Sequence, residues 1–145
     1  MPVTGSIRNL GWIAAACFVA GWFLPAAPEM PGWMAFRYAF APIWPYGAAE
    51  PTGVEDAVPQ VLSALTNVVF LLMFLQLIAG RVTRPGLYLR VAIACFVLNL
   101  YWFVQLLRDG SLSDLRIGYY VWLAAFALLV LIGGMLMRGA RAAVP

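Results

Sequence analysis

The stretch Val68-Val69-Phe70-Leu71-Leu72-Met73-Phe74-Leu75 carries no charge and no helix breaker. Read outward, its apolar character extends over about residues 60–80, with Gly80 and Arg81 closing it on one side and Pro59 on the other. Roughly 20 apolar residues in a helix cover the ~30 Å hydrocarbon layer of a bilayer. The segment therefore predicts a membrane span. Three more segments read in the same way, at about residues 8–24, 86–107 and 117–137. The expected fold is an all-α membrane protein, a four-transmembrane-helix bundle forming one domain over residues 1–145.

Composition agrees. Hydrophobic residues make up 64% of the chain and charged residues 10%, whereas soluble domains carry about 25% charge. The net charge is +3, and all nine cations are arginines, a usage that fits GC-rich coding and a bacterial source. The arginines are dispersed, so no basic patch for nucleic acid is formed.

Arginines in short flanks set orientation. With the N-terminus inside, Arg8, Arg81, Arg84, Arg90, Arg138 and Arg141 lie on the inner side, and Arg37, Arg108 and Arg116 outside. That distribution predicts both termini in the cytoplasm and a multi-pass protein of the bacterial inner membrane. All six acids, Glu29, Glu50, Glu55, Asp56, Asp109 and Asp114, then lie outside. Trp22, Tyr101, Trp102, Tyr119, Tyr120 and Trp122 fall at the outer ends of spans, the interfacial depth these residues favour. The first span also has the outline of a signal peptide, with Arg8 before it and Ala26-Ala27 after it. The bulk of Trp12, Trp22 and Phe23 argues for a retained span.

The outer loop, residues 25–59, is the longest connection. Within it Trp33, Phe36 and Phe40 recur at helical spacing, which predicts a short interfacial helix over residues 32–41. Trp44 could extend that face, although Pro42 and Pro45 interrupt it. Glu50, Glu55 and Asp56 make the end of the loop acidic. An apolar patch beside an acidic strip is a candidate partner-binding surface, carried by Trp33, Phe36, Phe40, Trp44, Glu55 and Asp56. The same loop also reads as a lid anchored to headgroups.

No ionisable residue falls near mid-span, which argues against a charged ion or proton path. Asn67 and Asn99, with Ser63 and Thr66 nearby, are polar groups at similar depth in the second and third spans. They are candidates for an intramembrane polar contact between helices or for a polar cavity lining. Gly11/Ala15 and Ala16/Ala20 have small-residue spacing, and Gly133-Gly134 offers a second smooth site. Either would serve internal packing or a homo-oligomer seam.

The chain has no histidine, and Cys17 and Cys95 sit apart in apolar runs as buried small hydrophobes. This excludes His-ligated haem, a Cys/His zinc site and a Ser-His-Asp triad within the chain. No phosphate loop or zincin signature is present. No catalytic, cofactor-binding or metal-ligating residue is predicted, and no cofactor.

Leu24-Pro25, Pro31-Gly32-Trp33, an asparagine in the second span and Arg116-Ile117-Gly118-Tyr119-Tyr120-Val121-Trp122 together resemble small uncharacterised four-span proteins of the bacterial inner membrane. The resemblance implies a fold and a compartment; it carries no activity, so no functional residue is transferred.

The expected function is that of a non-enzymatic membrane protein acting through protein–protein contacts with membrane or periplasmic partners, as an accessory subunit or an immunity-type protein, with membrane lipid as its surroundings. The alternative is an oligomeric channel or carrier for a small or apolar solute, lined by Asn67 and Asn99. A lipid-directed enzyme built on Glu55, Asp56 or Asp109 ranks third.

Overall fold

A computed structural model describes residues 5–45 and 54–142. The described residues are 80% helical and form five α-helices: α1 (Gly5–Phe23), α2 (Gly32–Ala39), α3 (Val54–Ile78), α4 (Pro85–Arg108) and α5 (Ile117–Ala142). A small antiparallel pair, β1 (Pro25–Ala27) and β2 (Met30–Pro31), joins α1 to α2. A single 3-10 turn, Leu112–Asp114, lies between α4 and α5.

The helix ends follow from local chemistry. Pro85 opens α4, where its missing N–H costs nothing. Gly80 and Gly110, both at positive φ, end α3 and α4. In each case the next residue's N–H returns to a carbonyl five residues back, Arg81 to Gln76 and Ser111 to Leu106. The second helix begins earlier than residue 60. Pro59 sits inside α3 rather than before it, in the second turn, where it leaves one intrahelical hydrogen bond unmade. Glu55 and Asp56 thus enter the first turn of α3 rather than a loop, and their side chains, with Glu50, lie outside the described residues.

Among the described residues three helices are long and apolar enough to cross a membrane: Ala57–Ile78 within α3, α4 and α5. Their outward faces carry Leu71, Leu72, Leu75, Val97 and Leu131, each about half exposed. Such a surface is suited to lipid, and the chain is a multi-pass membrane protein. The first expected span forms α1, whose opening turns hold Arg8 and Asn9 and whose interior is diluted by small residues. It is not among the three.

Each long helix buries one stripe at alternating three- and four-residue steps. These are Ile7, Gly11, Ala14, Phe18 and Gly21 on α1; Ser63, Thr66, Phe70, Met73 and Leu77 on α3; Tyr88, Ala92, Cys95 and Asn99 on α4; and Gly118, Ala125, Leu129, Ile132 and Leu136 on α5. A seven-residue repeat of this kind brings helices together at shallow, left-handed crossings. α1 and α4 both pack on α5, and α3 completes the circuit by touching α1 and α4. The small residues used for close contact on α1 are Gly11, Ala14 and Gly21, whereas Ala16 is exposed. Cys17 and Cys95 are free thiols.

At mid-height three rings close the core. Phe18 stacks on Phe70 at 4.2 Å, and Phe126 meets Phe70 edge-on at 5.4 Å. Phe70 and Phe126 are essentially inaccessible. Offset and edge-to-face pairs add ~1 kcal/mol each beyond simple burial.

Candidate functional site

Beyond the ring layer, on the side of α2, lies a cavity of about 990 Å³. Its walls come from the first turns of α3, the end of α4 and the start of α5, and α2 forms its roof. The roof is held by backbone-to-backbone contacts. The Gly32 N–H donates to the Leu24 carbonyl at 3.1 Å, and the Arg116 N–H donates to the Ala26 carbonyl at 3.0 Å. A Cβ on Gly32 would collide with the Gly21 carbonyl, and one on Gly118 would lie 2.6 Å from the Leu24 carbonyl. Only glycine fits these two crossings. Sequence order therefore places a rigid hairpin between α1 and α2, with α2 folded back over the helix ends.

The expected aromatic face of α2 divides. Phe36 leans on Trp22, with ring centres 5.2 Å apart, and Phe40 follows Phe36 at 5.8 Å. Phe36 lines the cavity. Trp33 is turned outward and exposed, as is Trp44. The Arg37 guanidinium lies 4.8 Å over the Trp44 ring and donates to the Trp44 carbonyl at 3.0 Å. The four aromatic residues thus serve two surfaces: Phe36 and Phe40 face inward, Trp33 and Trp44 outward.

Asn67 and Asn99 are both buried, but neither is the other's hydrogen-bond partner. Asn99 is fully enclosed between α3 and α4. Its Nδ2 donates to Thr66 Oγ1 at 3.0 Å, and its Oδ1 accepts from Ser63 Oγ at 2.9 Å. The Thr66 hydroxyl in turn donates to the Ser63 carbonyl at 2.6 Å, a back-bond typical of helical Ser and Thr. The Tyr119 hydroxyl reaches the Asn99 backbone carbonyl at 2.8 Å. This network ties α3, α4 and α5 together, and each interhelical bond of the kind is worth up to ~1 kcal/mol.

Asn67 belongs to the cavity. Its Nδ2 donates to the Ala64 carbonyl at 3.0 Å, and its Oδ1 accepts from Trp122 Nε1 at 2.9 Å. Trp122 then rests edge-on against Phe126 at 5.1 Å. One Asn67 amide hydrogen is left over, beside Ser63 and the unbonded side chain of Gln60 on the same wall. The remaining lining is dominated by Trp22, Phe36, Trp102, Tyr119 and Trp122.

Tyr119 and Trp122 are the site residues that sequence reading assigned only to the interfacial belt. A signal for their inward role is present: residue 122 falls on the same stripe as Gly118, Ala125 and Leu129.

Among the described residues no cluster of His, Cys, Asp or Glu could hold a metal ion. The arrangement offers hydrogen bonds and ring surfaces. Comparison with protein-family profiles, with curated proteins and with solved structures finds no match to this chain.

Proposed function

We propose that this chain is a non-enzymatic inner-membrane protein of four spans, with both termini cytoplasmic, and that it works by holding a small amphipathic molecule at its outer face. The arginine asymmetry supports this orientation, and it puts the α2 roof at the outer headgroup level. The fourth span in this reading is α1, carried across by its packing against α5. The observation that supports the function is the cavity beneath α2. Its volume lies in the range of small-molecule sites, about 300–1,000 Å³, and it has their make-up: mostly apolar walls with a few convergent polar groups. The Phe18, Phe70 and Phe126 layer closes its base, so a single copy stores or presents its occupant rather than conducting it.

The test is native mass spectrometry of the protein extracted gently from its own membrane. A bound small molecule is expected, at one per chain, and it is expected to disappear in Ala35→Trp, which fills the cavity from the roof. Protein that flies free of any small molecule in both forms would refute the reading.

A second reading is favoured by a separate observation, the exposure of Trp33, Ile43 and Trp44 on the far side of the roof. These residues suit contact with a membrane or periplasmic protein. A stoichiometric protein partner lost on Trp33→Ala, with the small molecule retained, would establish it beside the first.

A further inference from the structure

The chemistry of the cavity wall narrows what it can take. Among the described residues that line it, none is an arginine, an aspartate or a glutamate. The polar side-chain groups of the described wall are the Asn67 and Gln60 amides, the hydroxyls of Ser63, Tyr119 and Tyr38, and the indole N–H groups of Trp22, Trp102 and Trp122. Trp122 Nε1 is already committed to Asn67. Asn67 and Ser63 are each only 5% exposed, so a head group that reaches them has left water. A charged head there would find no counter-charge among the described lining residues, and the effective penalty for an unpaired ion out of water is several kcal/mol. An uncharged head needs only one or two hydrogen bonds to offset its desolvation.

We infer that the cavity is a binding site for an uncharged amphiphile, whose hydroxyl, ester or amide head meets Asn67, Ser63 and Gln60 while its apolar body lies among Trp22, Phe36, Trp102 and Trp122. This rests on the reading of the cavity as a ligand site. The wall offers donors from Asn67, Gln60 and the Trp22 and Trp102 indoles, and acceptors from Ser63 and Gln60. A head group that both donates and accepts is therefore matched best, and a carboxylate or an ammonium is matched on one side only.

The three cavity tryptophans supply the measurement. Full-length protein carrying Trp12→Phe, Trp33→Phe and Trp44→Phe keeps Trp22, Trp102 and Trp122 as its only fluorophores of that type. It is titrated in detergent with three dibrominated probes of matched chain length: a monoacylglycerol, a fatty acid at a pH where its carboxyl is ionised, and an alkyl trimethylammonium. Bromine quenches tryptophan on contact. Saturable quenching by the monoacylglycerol, at least about tenfold tighter than by either charged probe, is the expected result, a difference of about 1.4 kcal/mol. Gln60→Leu, which removes an amide with no partner in the protein, is expected to weaken the monoacylglycerol about fivefold, the size of one hydrogen bond. Asn67→Leu should weaken it at least as much. Equal saturable quenching by a charged probe would overturn the head-group assignment and leave the cavity reading standing. Quenching that stays linear for all three probes would overturn both.

Discussion

The two halves of the helical assembly are built on different rules. Below the Phe18, Phe70 and Phe126 layer the helices touch through aliphatic and small residues. Gly11 lies against Leu77, Gly133 approaches the Leu89 backbone, and Ile132 and Leu129 are wholly enclosed. Above the layer α1 and α5 stay in direct contact, Gly21 against Trp122, and the cavity beside them is bounded by rings and hydrogen-bonded amides. In lipid no hydrophobic force draws helices together, so dense contact and interhelical hydrogen bonds must do it. The lower half relies on the first, and the upper half adds the second to the glycine contacts of α1 with α2 and α5. The added hydrogen bonds hold α3 and α4 together beside the cavity.

The contrast is broken most severely at the layer between the halves. Phe126→Ala removes a ring packed against Phe18, Phe70 and Trp122, and should lower stability by about 3 kcal/mol. Thermal unfolding in detergent, followed by far-UV circular dichroism, reads this as a fall of many degrees in Tm. An unchanged Tm would mean that the layer does not close the core.

Neighbouring glycines sharpen the account of the lower half. A Cβ at Gly133 would lie 2.9 Å from the Leu89 Cα, whereas one at Gly134 meets nothing within 4 Å. Gly133→Ala should cost about 2 kcal/mol by forcing α4 from α5. Gly134→Ala should raise stability by about 0.5 kcal/mol through helix propensity alone. Equal effects at the two positions, in the same unfolding assay, would contradict the α4–α5 contact.

The smallest pair concerns polar groups. In the upper half Asn99 is satisfied at both ends of its amide. In the lower half the Tyr88 hydroxyl is buried with no hydrogen-bond partner. Asn99→Leu should destabilise by about 1 kcal/mol, since Ser63 Oγ and Thr66 lose a shared partner. Tyr88→Phe should be neutral or stabilising by up to about 1 kcal/mol, because it deletes a desolvated group that nothing compensates. A loss of stability in Tyr88→Phe comparable to Asn99→Leu would show that the hydroxyl has a partner after all, and the division between the halves would fail there.

Much of this architecture is legible in the sequence. Uncharged runs such as Val68–Leu75 announce membrane helices, and Gly80 and Gly110 mark where they stop. The helical spacing of Trp33, Phe36 and Phe40 marks α2. Other features are hidden for physical reasons. Glu55 and Asp56 disguise the first turns of α3 as loop, because polar residues ahead of a proline carry no apolar period. Trp122 has two readings from sequence, since an indole at a span end suits headgroups and a buried asparagine equally well. Asn67 and Asn99 sit at matching depths, yet depth alone does not fix which side of a helix faces which neighbour. The cavity itself leaves no linear trace, since its walls come from residues far apart in the chain.

The glycine crossings beneath the roof have a kinetic consequence. Residues 24–31 form a short tether, so the entropy of closing it is small and α2 stays at high effective concentration over the cavity. Lifting α2 requires breaking the Gly32–Leu24 and Arg116–Ala26 hydrogen bonds and separating backbones that are in direct contact. The roof is thus the slow door. An occupant that exchanges quickly must therefore pass through the cavity's open side, because lifting the roof would require a local unfolding of the hairpin.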